Sequence, residues 1–140
     1  MLLIIRNKAD ESTLKQVAED FSRYIKVVVD IKRQILSAGG EKHVDGEQLL
    51  LKDGSQQKNL WGGGLDLETG EVDFDSMINL LTFSLLKTYV VVSISTIILW
   101  LGRMLEEQSS IRPSQKNPSR EVLDQNIRLK MTEIIRNLLR

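Results

Sequence analysis

The chain has one histidine, His43, and it stands in an acidic run: Glu41, His43, Asp45 and Glu47, spaced two apart. On an extended strand, alternate residues share a face and lie roughly 6.5–7 Å apart. Imidazole and carboxylate oxygens at that spacing are metal-ligand chemistry, with the metal itself left open. They are equally acid/base chemistry, a proton acceptor beside proton carriers. Two plainer accounts compete. One is a solvated strand face, with Lys32 opposite Glu47 in a cross-strand pair worth about 0.2–1 kcal/mol. The other is a short helix, Gly46–Lys52, capped by Asp45 and ended by Gly54, which would scatter the cluster.

The strand reading depends on the elements around it. Val27, Val28, Val29, Ile31 and Ile35 are β-branched and dense, as strands prefer. Gly39-Gly40 offers a two-residue hairpin loop. With that hinge, Asp30, Lys32, Gln34, Leu36, His43, Asp45, Glu47 and Leu49 form one polar face. Val27, Val29, Ile31, Ile35, Val44 and Leu50 dominate the other, which should meet the core. A third strand is expected near Leu60-Trp61, leading into a bend at Gly62-Gly63-Gly64. A ligand or second backbone approaching those glycines is the sharper account. A turn at Glu68–Glu71 precedes a fourth strand, Val72–Ile78.

Helices flank this meander. Asp10 or Ser12 caps an N-terminal one whose apolar stripe is Leu14, Val17, Ala18, Phe21 and Ile25. At the far end, Asn117 as cap and Pro118 at the first position open another. Leu123, Ile127, Met131, Ile134, Ile135, Leu138 and Leu139 form its stripe, to lie across the apolar sheet face. The fold class expected is therefore α+β: an antiparallel meander of about four strands, covered on one face by N- and C-terminal helices, in a single domain of residues 1–140.

Composition narrows the function classes. The 19 basic and 19 acidic residues cancel, so no global field draws the chain to nucleic acid. Acids gather between Asp66 and Asp75 and basic residues from Arg112 to Arg140, which suits internal complementarity. A phosphate-gripping C-terminus ranks last, because no aromatic stacking platform accompanies it. The absence of cysteine excludes disulfides and thiolate metal sites and fits a cytoplasmic location. The apolar start, Met1–Ile5, is too short for a signal peptide.

Leu80–Gly102 is foreign to this plan. It is apolar apart from Lys87 and has 23 residues, enough for one bilayer crossing when Lys87 snorkels. A single crossing would put the sheet and its C-terminal cover on opposite sides. A surface-lying helix, a re-entrant hairpin or a homo-oligomer contact keeps them together.

VVVDI, GGEKHVDGE, LLLKDGSQQKNLWG, SMIN and RPSQKNPS together resemble a small uncharacterised bacterial family, a domain of unknown function. The resemblance covers residues 20–79 and 112–140. It implies that Ser76–Asn79 runs almost directly into Arg112-Pro113, so residues 80–111 stand as an apolar helical insertion. It implies no activity and no cofactor. The function expected is a small binding or interaction module, associated with a membrane or a second copy through Leu80–Gly102. The binding candidates are Asn79, Arg112 and Trp61. The alternative is a metal-dependent or hydrolytic enzyme using Glu41, His43, Asp45 and Glu47, with Arg112 clamping an anionic substrate.

Overall fold

The computed structural model describes residues 1–18, 23–79 and 120–140. Within them the protein is α+β, with strands β1 (Leu3–Ile5), β2 (Tyr24–Asp30), β3 (Ile35–Ala38), β4 (Leu60–Asp66) and β5 (Val72–Asp73). Helices are α1 (Glu11–Val17), α2 (His43–Lys52) and α3 (Gln125–Leu139). The strands form one antiparallel sheet in the order β1-β3-β2-β4-β5, one strand more than expected. Among the described residues no helix is long and apolar enough to cross a membrane. Leu80–Gly102, the proposed insertion 80–111, Arg112 and the Asn117-Pro118 cap lie outside the described residues.

The first hairpin turns earlier than Gly39-Gly40. The β2–β3 register pairs Val27 with Ala38 and Val29 with Leu36, so the hinge is Ile31–Gln34. Asp30 builds it. Its Oδ1 accepts from the backbone N–H of Lys32 (3.0 Å) and Arg33 (2.9 Å), and Gln34 takes the left-handed conformation at φ 57°. This is a carboxylate-capped turn. Gly39 and Gly40 do adopt positive φ, 91° and 76°, but they steer the chain from β3 into α2 rather than into a second strand. The expected strand through Glu41–Leu50 is thus a helix of ten residues, longer than the Asp45-capped alternative and with Lys42 at its N-cap.

The sheet is covered on both faces. On one, Ile25, Val27, Val29, Leu36, Trp61 and Leu65 pack with Val17 of α1 and Ile127, Met131, Ile134, Ile135, Leu138 and Leu139 of α3. This is the cover the C-terminal stripe predicted; Leu123 alone is exposed, just before the helix. Asp124 caps α3 instead of Asn117, accepting from Asn126 N (2.8 Å) and Ile127 N (3.1 Å). At the other end Asp10 caps α1, as expected, while Ile25 belongs to β2 rather than to the helix. On the opposite face, Val28, Ile35, Leu60 and Ile78 pack with Leu50 of α2, flanked by Val44 and Leu51.

The fourth strand is also shorter than expected. β5 ends at Asp73, and a 3-10 turn occupies Met77–Asn79. Between them Asp75 forms a bridge with Glu121. The Ser76 N–H donates to Arg120 O (2.9 Å) and the Val122 N–H to Phe74 O (3.0 Å), so the chain resumes beside the point where it left.

Candidate functional site

Gly62-Gly63-Gly64 lies in the middle of β4, not in a bend. A Cβ at Gly62 would stand 2.5 Å from the Ser76 side chain and 2.8 Å from Ile78, and one at Gly64 would strike the Tyr24 phenol. The glycines leave the strand backbone bare so that neighbours can touch it. His43 uses that access, its Nε2 lying 2.7 Å from Gly63 O. A carbonyl only accepts, so Nε2 carries the proton and Nδ1 the lone pair.

His43 opens α2 and is half-buried. Burial lowers its pKa, more than the Gly63 carbonyl and the carboxylates of Asp73 and Asp75 raise it; Lys26 adds to the lowering. The ring is therefore neutral near pH 7. It borders a cleft of about 380 Å³ between the first turn of α2 and the chain segments at Asp75–Ile78 and Arg120. Lys26 of β2 reaches the cleft and donates to Glu41 O at 2.5 Å. Glu41 and Lys42 form its outer lip, and the Arg120 guanidinium pairs with Asp75 at 3.3 Å. Three basic side chains against two acidic ones leave a net positive lining.

The acidic run divides on the helix. Positions four apart share a helical face, so His43 and Glu47 point inward while Asp45 is exposed on the other side. Glu47 is buried, with Oε1 accepting from Gln57 Nε2 at 3.2 Å. Glu41 is exposed ahead of the helix. A shared strand face for Glu41, His43, Asp45 and Glu47 is thereby overturned. No group of three or more His, Asp or Glu side chains among the described residues could hold a metal ion.

Of the binding candidates, Trp61 is buried in the core on the opposite face of the sheet from the cleft. Asn79 is buried behind the cleft, where its carboxamide acts as an extra peptide group on the edge of β4. Oδ1 accepts from Gly62 N (2.8 Å), and Nδ2 faces Gly62 O (3.0 Å), Phe74 O (3.1 Å) and Arg120 O (2.8 Å). Asn79 joins both ends of the interval 80–119 to the sheet. Sequence reasoning missed Lys26, Ser76 and Arg120. Lys26 left a signal, a cation breaking an otherwise apolar strand; Arg120 left none.

A larger groove, about 550 Å³, lies at the β4–β5 edge against α3 and is lined by Tyr24, Asp66, Asp73, Thr132 and Arg136 among others. Tyr24 Oη donates to Asp73 at 2.5 Å, and burial, then Asp73, pushes the phenol pKa up. Asp66, Glu71 and Asp73 outnumber Arg136 there, a net negative lining, so the smaller, positively lined cleft is the better candidate for holding an anion.

The chain belongs to the family described as protein of unknown function (DUF5674), whose match spans residues 3–96. It covers every described element up to the Met77–Asn79 turn, runs on beyond it, and stops before α3. No curated protein and no solved structure matches the chain.

Proposed function

With membership of a family that has no assigned activity as the premise, we propose that the domain is a binding module for a small anionic ligand held in the His43 cleft. The observation that carries this reading is the positively lined, ligand-sized hollow beside a neutral imidazole. Inorganic phosphate titrated into the full chain at low ionic strength tests it. Amide resonances of Lys26, His43, Val44 and Arg120 should shift saturably, and the response should vanish in a Lys26→Met, Lys42→Met variant. No saturable shift, or an identical response in that variant, overturns the reading.

The enzymatic alternative retains His43 as proton acceptor and loses Asp45 from its set. The lone pair on Nδ1 is the observation that favours it.

Attachment to a membrane or to a second copy through Leu80–Gly102, from a cytoplasmic location, is part of the same proposal. Asn79 and Arg120 are hydrogen-bonded, so both lie on one side of any bilayer. The run between them has the length for one crossing, which would part them. Surface association, a re-entrant hairpin or self-association agrees with both facts. Recovery of the full chain as a soluble monomer from a fractionated extract would remove this part.

A further inference from the structure

The cleft reading says what charge a ligand carries; His43 says what else it must carry. The imidazole has two nitrogens and the fold has already used one. Nε2–H is held by Gly63 O at 2.7 Å, a bond made to the bare backbone of β4 and therefore fixed by the sheet. Among the described residues no side chain or backbone group bonds Nδ1. His43 lines the cleft, so the remaining ring nitrogen is a neutral acceptor available to whatever enters. The other polar side chains of the lining are the ammonium and guanidinium donors of Lys26, Lys42 and Arg120, the carboxylates of Glu41 and Asp75, and the Ser76 hydroxyl, whose oxygen already accepts from Ile78 N at 3.3 Å.

We propose, building on the cleft reading, that the ligand is bifunctional: an anionic group for the basic rim, with a hydroxyl or N–H donor placed to reach His43 Nδ1. Hydroxyalkyl phosphates and 2-hydroxy or 2-amino acids have this chemistry, and simple alkyl phosphates and unsubstituted acids do not. An acceptor that loses its donor gives up a hydrogen bond, and selectivity follows from that loss.

The pH dependence follows from the tautomer. Protonating the ring turns Nδ1 into a donor and removes the preference. The charged groups around the ring are Lys26 on β2, Asp73 on β5, Asp75 beyond it, Glu41 and Lys42 ahead of α2, and Arg120. Burial outweighs the nearby carboxylates, so the neutral form holds down to a pH below the ordinary imidazole range.

Two probes of matched size test the proposal on the full chain: glycerol 3-phosphate and n-propyl phosphate, with affinities from amide shifts at pH 8 on the wild-type chain and on His43→Phe. Their phosphate groups titrate alike, so the ratio of affinities reports the hydroxyls. At pH 8 glycerol 3-phosphate should bind about fivefold more tightly, the size of one neutral hydrogen bond. The ratio should approach one in His43→Phe. Equal affinities on the wild-type chain at pH 8 overturn the bifunctional ligand and leave the anionic cleft standing. A ratio unchanged in His43→Phe takes the role away from His43. Binding of neither probe overturns the cleft reading and this proposal together.

Discussion

Replacing Asn79 by aspartate changes one atom's chemistry and leaves the shape alone, so its effect can be worked from the geometry. The Oδ1 bond to Gly62 N survives. Nδ2 supplies two hydrogens to three carbonyl oxygens, those of Gly62, Phe74 and Arg120. In Asn79→Asp an acceptor faces those oxygens at about the same distances. Two net hydrogen bonds are lost, about 1 kcal/mol each, and a buried group meets like partial charges. Destabilisation of about 3–5 kcal/mol is expected, a large part of the 5–15 kcal/mol a domain has. The penalty should depend on pH. With buried carbonyl oxygens around it, the introduced carboxyl has a folded pKa raised above its unfolded value of about 3.9. The folded state then binds the proton more tightly, so the deficit is smallest below that value. It grows as pH rises towards the folded pKa. Asn79→Ala leaves the Gly62 N–H without an acceptor, costs about 1–3 kcal/mol for that group, and has no such pH dependence. Urea unfolding followed by circular dichroism at pH 4 and pH 7 measures both. An Asn79→Asp chain within 1 kcal/mol of wild type at pH 7 would show that the carboxamide does not close the sheet (a difference below about 1 kcal/mol is within ordinary surface effects).

Two glycines should respond differently to alanine. Gly62→Ala drives a methyl into Ser76 and Ile78 and should cost about 3 kcal/mol in urea unfolding. Gly54→Ala meets nothing within 4 Å and carries only the backbone strain of φ 101°, about 1 kcal/mol; the reverse order would contradict the packing of β4. Asp53 links Arg6 (2.5 Å) and Arg33 (2.7 Å), and the Arg6 hydrogen bond, then Arg33, holds its pKa below the ordinary carboxylate value. A depressed carboxylate pKa adds stability above the unfolded pKa and loses it as pH falls through the folded one. Asp53→Asn should therefore flatten the fall of the urea midpoint between pH 5 and about pH 2, most visibly at low salt. A wild-type slope in that variant counts against the pair.

The face of the sheet under α3 was legible because it is governed by one rule. Val27 and Val29 alternate at period two, and Ile127, Met131, Ile134 and Leu138 recur at the helical period, so each stripe implies the other; Ile25, read into the N-terminal helix, extends the strand stripe. The face under α2 was misread because local signals conflict there. Gly39-Gly40 reads as a hairpin loop, and the acids spaced two apart read as a strand face. The helical signal was present but weak: Val44, Glu47, Leu50 and Leu51 share a face, yet one of the four is a carboxylate. The true hinge was signalled by Asp30 before the polar Lys32-Arg33-Gln34. A side chain that accepts from its own backbone two and three residues on is a quieter turn signal than two glycines. The candidate site fared likewise. His43 was identified from its type, but Lys26, Ser76 and Arg120 reach it through pairings that no local pattern encodes.

The two sides of the sheet also differ in what they bury, and this bears on where function lies. The buried polar side chains among the described residues are Asp30, Ser37, Glu47, Ser55, Ser76 and Asn79. They belong to α2 or the residues just past it, to the Met77–Asn79 turn and its approach, or to strand positions that share Val28's face. The cluster under α1 and α3 is built of apolar residues. Burying a polar group costs free energy unless every bond is replaced, and here Asp30 Oδ2 and Ser37 Oγ have no partner. Of these polar side chains Ser76 alone lines the His43 cleft, so the asymmetry marks the α2 face as a whole. It also separates two outcomes: core substitutions under α3 should lower stability without altering ligand preference, while substitutions under α2 should alter both.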